Sequence, residues 1–125
     1  MKTKNIARTS LQEIGAMGEE EVSKFLSRTG YVLIDRNWRI KGGEIDLIFE
    51  DGQTIVFVEV KTRSSNTYGT PFDAITPEKA FRLQRLALAW MALNQRWGQD
   101  YRIDAAGVWI KADGECSIEL RKAVL

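Results

Sequence analysis

Two carboxylates and an ammonium interrupt the most apolar part of this chain. Asp46 lies within Gly43-Glu44-Ile45-Asp46-Leu47-Ile48, and Glu59 and Lys61 lie within Val56-Phe57-Val58-Glu59-Val60-Lys61. Both segments alternate as strands do. In the first, Ile45, Leu47 and Phe49 point one way and Glu44, Asp46, Ile48 and Glu50 the other. In the second, Val56, Val58 and Val60 oppose Ile55, Phe57, Glu59 and Lys61. Asp51-Gly52 between them reads as a two-residue hairpin turn. That turn sets Glu50 opposite Gln53, Glu44 opposite Glu59 and Asp46 opposite Phe57. Asp46 and Glu59 are then diagonal neighbours, roughly 7–8 Å apart at Cα, with Lys61 on the order of 6–7 Å further along the strand.

Opposed like charges destabilise a sheet, and a carboxylate buried without a partner is strongly disfavoured. A divalent cation removes that penalty. Mg²⁺ (or Mn²⁺) favours hard oxygen ligands and takes carboxylates together with water and phosphate oxygens, so Asp46, Glu59 and Glu44, with a backbone carbonyl, make a candidate metal set. A metal there would polarise a phosphate and lower the pKa of an attacking water. Lys61 would orient or deprotonate that water, or stabilise negative charge at phosphorus. The competing reading is an ordinary Glu59–Lys61 or Asp46–Lys61 ion pair on an exposed sheet face. Glu59 fits that reading least well, since it interrupts a strand otherwise suited to burial.

The surrounding composition narrows the chemistry. The chain has 125 residues, 18 Lys and Arg against 17 Asp and Glu, no histidine and one cysteine, Cys116. Length favours one domain. Histidine-based triads, Cys/His zinc sites and disulfide frameworks are excluded within the chain. A net charge of +1 carries no general signal for nucleic acid, so phosphate contacts must come from local clusters. Arg36, Arg39 and Lys41 precede the acids, Arg63 ends the central strand, and Lys79, Arg82 and Arg85 line a helix. For that stripe a plain solvated face is the competing reading. Trp38, Tyr68 and Trp97 are candidates for stacking on bases, with core or boundary packing as the alternative. No apolar stretch is long enough to span a bilayer and no secretory signal opens the chain, which leads to a cytoplasmic expectation with no membrane partner.

The elements that must position the acids follow from capping and periodicity. Residues 1–9 read as a flexible basic arm, and residues 10–125 as the folded domain. Ser10-Leu11-Gln12-Glu13 opens a helix as a capping box; Ile14, Met17, Val22, Phe25 and Leu26 form its stripe, and Gly30 ends it. Tyr31 to Ile34, continuing toward Trp38, is the first strand, followed by Glu44–Glu50 and Thr54–Thr62. Thr76-Pro77-Glu78 starts a second helix running to about Trp97, with a stripe of Ala80, Phe81, Ala87, Trp90, Met91 and Leu93. Arg102–Ile110 and Cys116–Leu120 complete the order α-β-β-β-α-β-β, which suits an α/β fold with a mixed central sheet flanked by helices.

The GEIDLI and VFVEVKTR segments, together with Gly18-Glu19, Gly30-Tyr31, Asn37-Trp38-Arg39, Gly69 and Arg102-Ile103-Asp104, resemble the YraN-like family of uncharacterised bacterial proteins. That family is similar in turn to archaeal Holliday junction resolvases. The resemblance implies a restriction-endonuclease-like fold, with Asp46, Glu59 and Lys61 as the acid, acid and lysine of a PD-(D/E)xK nuclease site. It also implies a supporting metal or water contact for Glu19, in the position of a first-helix glutamate of the resolvases. By helix counting Glu19 lies beside the apolar stripe near Val22, which permits an inward role.

These readings lead to a metal-dependent endonuclease acting on DNA, branched or structured DNA included, with a homodimer implied by analogy to the resolvases. The rival readings are a non-cleaving nucleic-acid-binding module and a protein-interaction domain on the same fold.

Overall fold

The computed structural model describes residues 10–64 and 69–125. The arm expected over residues 1–9, and Tyr68, lie outside the described residues. Helix α1 spans Leu11–Arg28, strands β1, β2 and β3 span Val32–Ile40, Gly43–Asp51 and Thr54–Arg63, helix α2 spans Pro77–Leu93, and strands β4 and β5 span Tyr101–Ile110 and Cys116–Arg121. One sheet orders them β1-β2-β3-β4-β5. All neighbours are antiparallel except β3 and β4. A parallel pair needs a crossover, and the segment carrying α2 provides it. The expected mixed α/β architecture and element order are therefore present.

The two faces of the sheet carry separate apolar cores. Leu47, Phe49, Val56, Val58, Val60, Ala106 and Val108 pack with Ile14, Val22 and Leu26 of α1. Ile48, Ile55, Phe57 and Ile103 pack with Leu83, Leu86, Ala87, Trp90 and Met91 of α2. Alternation along β3 therefore holds as read. Both helix starts also match their signals: the Ser10 hydroxyl accepts from Glu13 N–H at 3.2 Å and donates to the Glu13 carboxylate at 3.1 Å, and the Thr76 hydroxyl accepts from Lys79 N–H at 3.3 Å.

Several expectations are corrected. Helix α2 stops at Leu93 rather than near Trp97, and Gln95 takes a φ of 56° just beyond it. Its buried stripe uses Leu83 and Leu86, while Phe81 and Leu93 are exposed, because the sheet fixes a phase that a helix apolar on several sides leaves ambiguous. Trp38 packs against the α2 core, and Trp97 is exposed. Between β3 and α2 the chain forms a 3-10 turn that the sequence reading did not include, Pro71–Ala74, capped where Thr70 N–H donates to Asp73 Oδ2 at 2.8 Å. Among the described residues no helix is long and apolar enough to cross a membrane.

The β2–β3 hairpin turns one residue later than expected. Asp51 pairs with Thr54, leaving Gly52 and Gln53 as the turn, and only Gly52 of these two has a positive φ, 63°. A turn needing one positive φ, with glycine first, replaces the Asp-Gly turn needing two. Arg102 reaches Asp51 Oδ2 at 3.5 Å and so helps keep it in the strand. The ladder shifts by two residues. Glu50 faces Ile55 and Ile48 faces Phe57, so the register, extended, brings Asp46 rather than Glu44 opposite Glu59.

Helix α1 approaches the sheet closely at Gly18, where an added Cβ would lie 1.9 Å from Thr62 Oγ1 and 3.0 Å from Thr62 Cβ. Gly18→Ala should lower stability by about 1–3 kcal/mol, despite the better helix propensity of alanine. Thr62→Ala in the same chain should recover part of that loss, the Cβ contact remaining; denaturant titration of the two single variants and the double variant measures the coupling.

Candidate metal and nuclease site

Alternation along β2 breaks at Asp46. Ile45 joins the α2 core and Leu47 joins the α1 core, although two residues apart should share a face. The observed β2–β3 ladder begins at Leu47↔Val58. Beyond it the Asp46 side chain continues the pairing, with Oδ2 accepting Val60 N–H at 2.8 Å. The backbone donor that the diverging strands would orphan is thereby satisfied, and the carboxyl is pinned in the sheet at 7% exposure.

Glu59 meets Asp46 directly. Burial, a hydrogen bond to Glu59 and the Glu59 charge raise the Asp46 pKa from its usual carboxylate range to about 8, against the lowering effect of Val60 N–H. A shared proton is the metal-free solution to two carboxylates held together. Glu19, half-buried on α1, is also shifted upward, chiefly by burial and also by the charges of Asp46 and Glu44, opposed by a hydrogen bond from Asn37 and by Arg36.

The remaining acids and bases divide differently from the sequence expectation. Glu44 is exposed and paired with Arg39 at 2.9 Å, so two of the proposed roles, metal acid and phosphate base, meet in one ion pair. Arg36 binds Glu20 at 3.1 Å and the buried Ser23 hydroxyl at 3.1 Å. Lys41, Arg82 and Arg85 are exposed, Lys79 is partly exposed, and Arg63 donates to the Thr62 carbonyl at 3.4 Å. Among the described residues Lys61 makes no ion pair, so neither Lys61 bridge of the competing reading is present. Arg39, Ile40, Gly43 and Glu44 line an open hollow of about 380 Å³.

A divalent cation such as Mg²⁺ needs hard oxygen donors. Among the described residues no three His, Cys, Asp or Glu side chains gather as a ready-made cage. Asp46 and Glu59 form a close pair of hard donors, with Glu19 acting on Asp46 electrostatically. That arrangement fits Mg²⁺, which commonly takes one or two carboxylates and completes its shell with water and phosphate oxygens. It does not fit an enclosed all-protein site, and Glu44 is turned away to Arg39.

Sequence reading missed two polar groups here. Asn37 Nδ2 donates to Glu19 Oε1 at 2.9 Å from a residue with φ 49°; asparagine inside a strand was the available signal, since strands disfavour it. Thr62 Oγ1 is buried without a hydrogen-bond partner among the described residues, and nothing in the sequence announces that.

The Asp46 shift fixes the sign of a pH dependence. An acid whose pKa rises on folding holds more protons folded than unfolded. The stabilising contribution is complete below the ordinary carboxylate value of 3.8 and is lost as pH rises toward about 8. Chelator-treated protein should therefore lose stability across that window. Asp46→Asn, which keeps an acceptor for Val60 and gains a donor for Glu59, should flatten the slope and match or exceed the wild type above pH 8 in thermal melts.

Comparison with known proteins places the chain. The model of uncharacterised protein family UPF0102 matches residues 18–108, which include Glu19, Asn37, Asp46, Glu59 and Lys61. A UPF0102 protein of Leifsonia xyli subsp. xyli is 51% identical over 96 residues, covering 77% of this chain and 81% of the relative. One from Beutenbergia cavernae is 42% identical over 111 residues, covering 89% and 94%. One from Nocardia farcinica is 43% identical over 113 residues, covering 90% and 89%. With matches of this extent and identity, the chain belongs to the UPF0102 family.

Proposed function

We propose that this protein is a Mg²⁺- or Mn²⁺-dependent endonuclease that hydrolyses phosphodiester bonds in DNA. The observation that carries the reading is Asp46, buried in the sheet and hydrogen-bonded to the partly buried Glu59, with Lys61, two residues beyond Glu59, free of any ion-pair partner among the described residues. A purely structural pair of acids would be expected to have that lysine folded back onto it.

Asp46 and Glu59 would hold the cation. When bound, it supplies Lewis-acid polarisation of the phosphoryl oxygen and a lowered pKa for water. Val60 N–H fixes one Asp46 oxygen and so the direction of the other. Lys61 contributes positive charge where negative charge develops at phosphorus. Glu19 orients the attacking water from the α1 side. Lys41, Arg63, Lys79, Arg82 and Arg85 supply phosphate contacts that position a duplex without reading its sequence; Arg36 and Arg39 first exchange acid partners for phosphate. Resemblance to archaeal junction resolvases makes branched DNA the preferred form and a homodimer the working species.

One observation favours the non-cleaving nucleic-acid-binding module. No three-ligand cage is present among the described residues, and binding without cutting needs none. Titrating Mn²⁺ into wild type and Asp46→Asn at pH 8, and following melting together with cleavage of labelled duplex, single-stranded and four-way-junction DNA, separates the two. The nuclease reading expects metal-dependent stabilisation and cutting in the wild type, with cleavage reduced about a hundredfold or more in the variant. DNA binding of equal strength in both proteins, without metal response or cleavage, would instead establish the binding module.

A further inference from the structure

Asn37 stands opposite Asp46 in the sheet. The flanking pairs Arg36↔Leu47 and Trp38↔Ile45 leave these two facing each other across β1 and β2. On the other side the β2–β3 ladder stops at Leu47↔Val58, and Glu59, the next residue of β3, hydrogen-bonds the Asp46 side chain. Asn37, Asp46 and Glu59 thus form one row across three strands. Both β1 and β2 lose regular alternation at this row, and on β1 the cause is the φ of 49° at Asn37. A left-handed residue inside a strand is unfavourable, and asparagine is among the few non-glycine residues that adopt it readily.

That conformation lets two consecutive residues reach the same helix. Arg36 binds Glu20 and Ser23, and Asn37 binds Glu19. Trp38 then returns to the α2 face. The two contacts treat two neighbouring acids differently. Glu20 is paired with a guanidinium at 3.1 Å, which satisfies its charge. Glu19 receives a neutral amide donor at 2.9 Å, which fixes the direction of the carboxylate and leaves its negative charge available. Metal sites commonly use such outer hydrogen bonds to orient acids.

We infer that Asn37 is a positioning residue that holds the Glu19 carboxylate toward the Asp46–Glu59 pair by a neutral hydrogen bond from a left-handed strand residue. The inference rests on the metal-dependent reading of that pair.

Its test is Mn²⁺ binding, read from the electron paramagnetic resonance of free Mn²⁺, with melts to verify folding. Asn37→Gly keeps the backbone conformation and removes the amide, while Asn37→Asp keeps the shape and removes the donor. Each should weaken Mn²⁺ binding about tenfold. Glu19→Gln should weaken it similarly, and adding Asn37→Gly to Glu19→Gln should have no further effect, since one acts through the other. A full additional loss in the double variant, or wild-type affinity in both Asn37 variants while Asp46→Asn abolishes binding, would overturn the role of Asn37 and leave the metal site standing. Unchanged Mn²⁺ binding in Asp46→Asn would remove the metal reading and this inference together.

Discussion

A side-chain carboxyl does the work of a backbone carbonyl at the centre of this sheet. Val60 N–H would lose its partner where β2 and β3 part, and Asp46 Oδ2 takes it at 2.8 Å. A buried amide left without an acceptor destabilises by roughly 1–3 kcal/mol, so the acid is retained by the fold itself. Once it is fixed there, Glu59 must share space with it, and one of the two must give up its charge or receive a cation. The opposed strand adjusts at the same row through the left-handed Asn37.

Around that row the charges sort themselves by partner. Glu20 and Glu44 are closed by Arg36 and Arg39. Among the described residues Asp46 and Glu59 have no cationic partner, and Glu19 meets a neutral amide. The acids with arginine partners lie at the surface, where such pairs contribute little to stability and exchange readily. Those without are buried or partly buried at the sheet. Helix α1 reaches this row because Gly18 has no side chain to meet Thr62.

The other end of the sheet is fastened by a separate polar network. Arg102 Nε contacts both oxygens of the fully buried Asp104 at 3.1 and 3.2 Å, and its Nη atoms reach Asp51 and the Tyr31 hydroxyl. Asp104 also accepts Ala123 N–H at 2.9 Å, tying the chain end to β4. A buried acid with an arginine and a backbone donor is well satisfied, which is the condition under which burial of a charge is tolerated. The contrast with Asp46, buried against another acid, marks the row at Asp46 as the place where the fold leaves its electrostatics unresolved.

The sequence by itself determined the element order, both helix starts and the faces of β3, because capping chemistry and strand periodicity are local and agree along those stretches. It also singled out Asp46, Glu59 and Lys61, since acids inside an apolar strand are anomalous wherever the strand is placed. Tertiary structure decided the rest. The hairpin register hung on a single turn residue, and moving it changed the neighbour of Glu59 from Glu44 to Asp46. The phase of α2 was set by the sheet it covers, which chose Leu83 and Leu86 over Phe81 and Leu93. Asn37, Thr62 and the pairing of Arg36 depend on residues distant in the chain, and no local pattern encodes which of several nearby acids an arginine will meet.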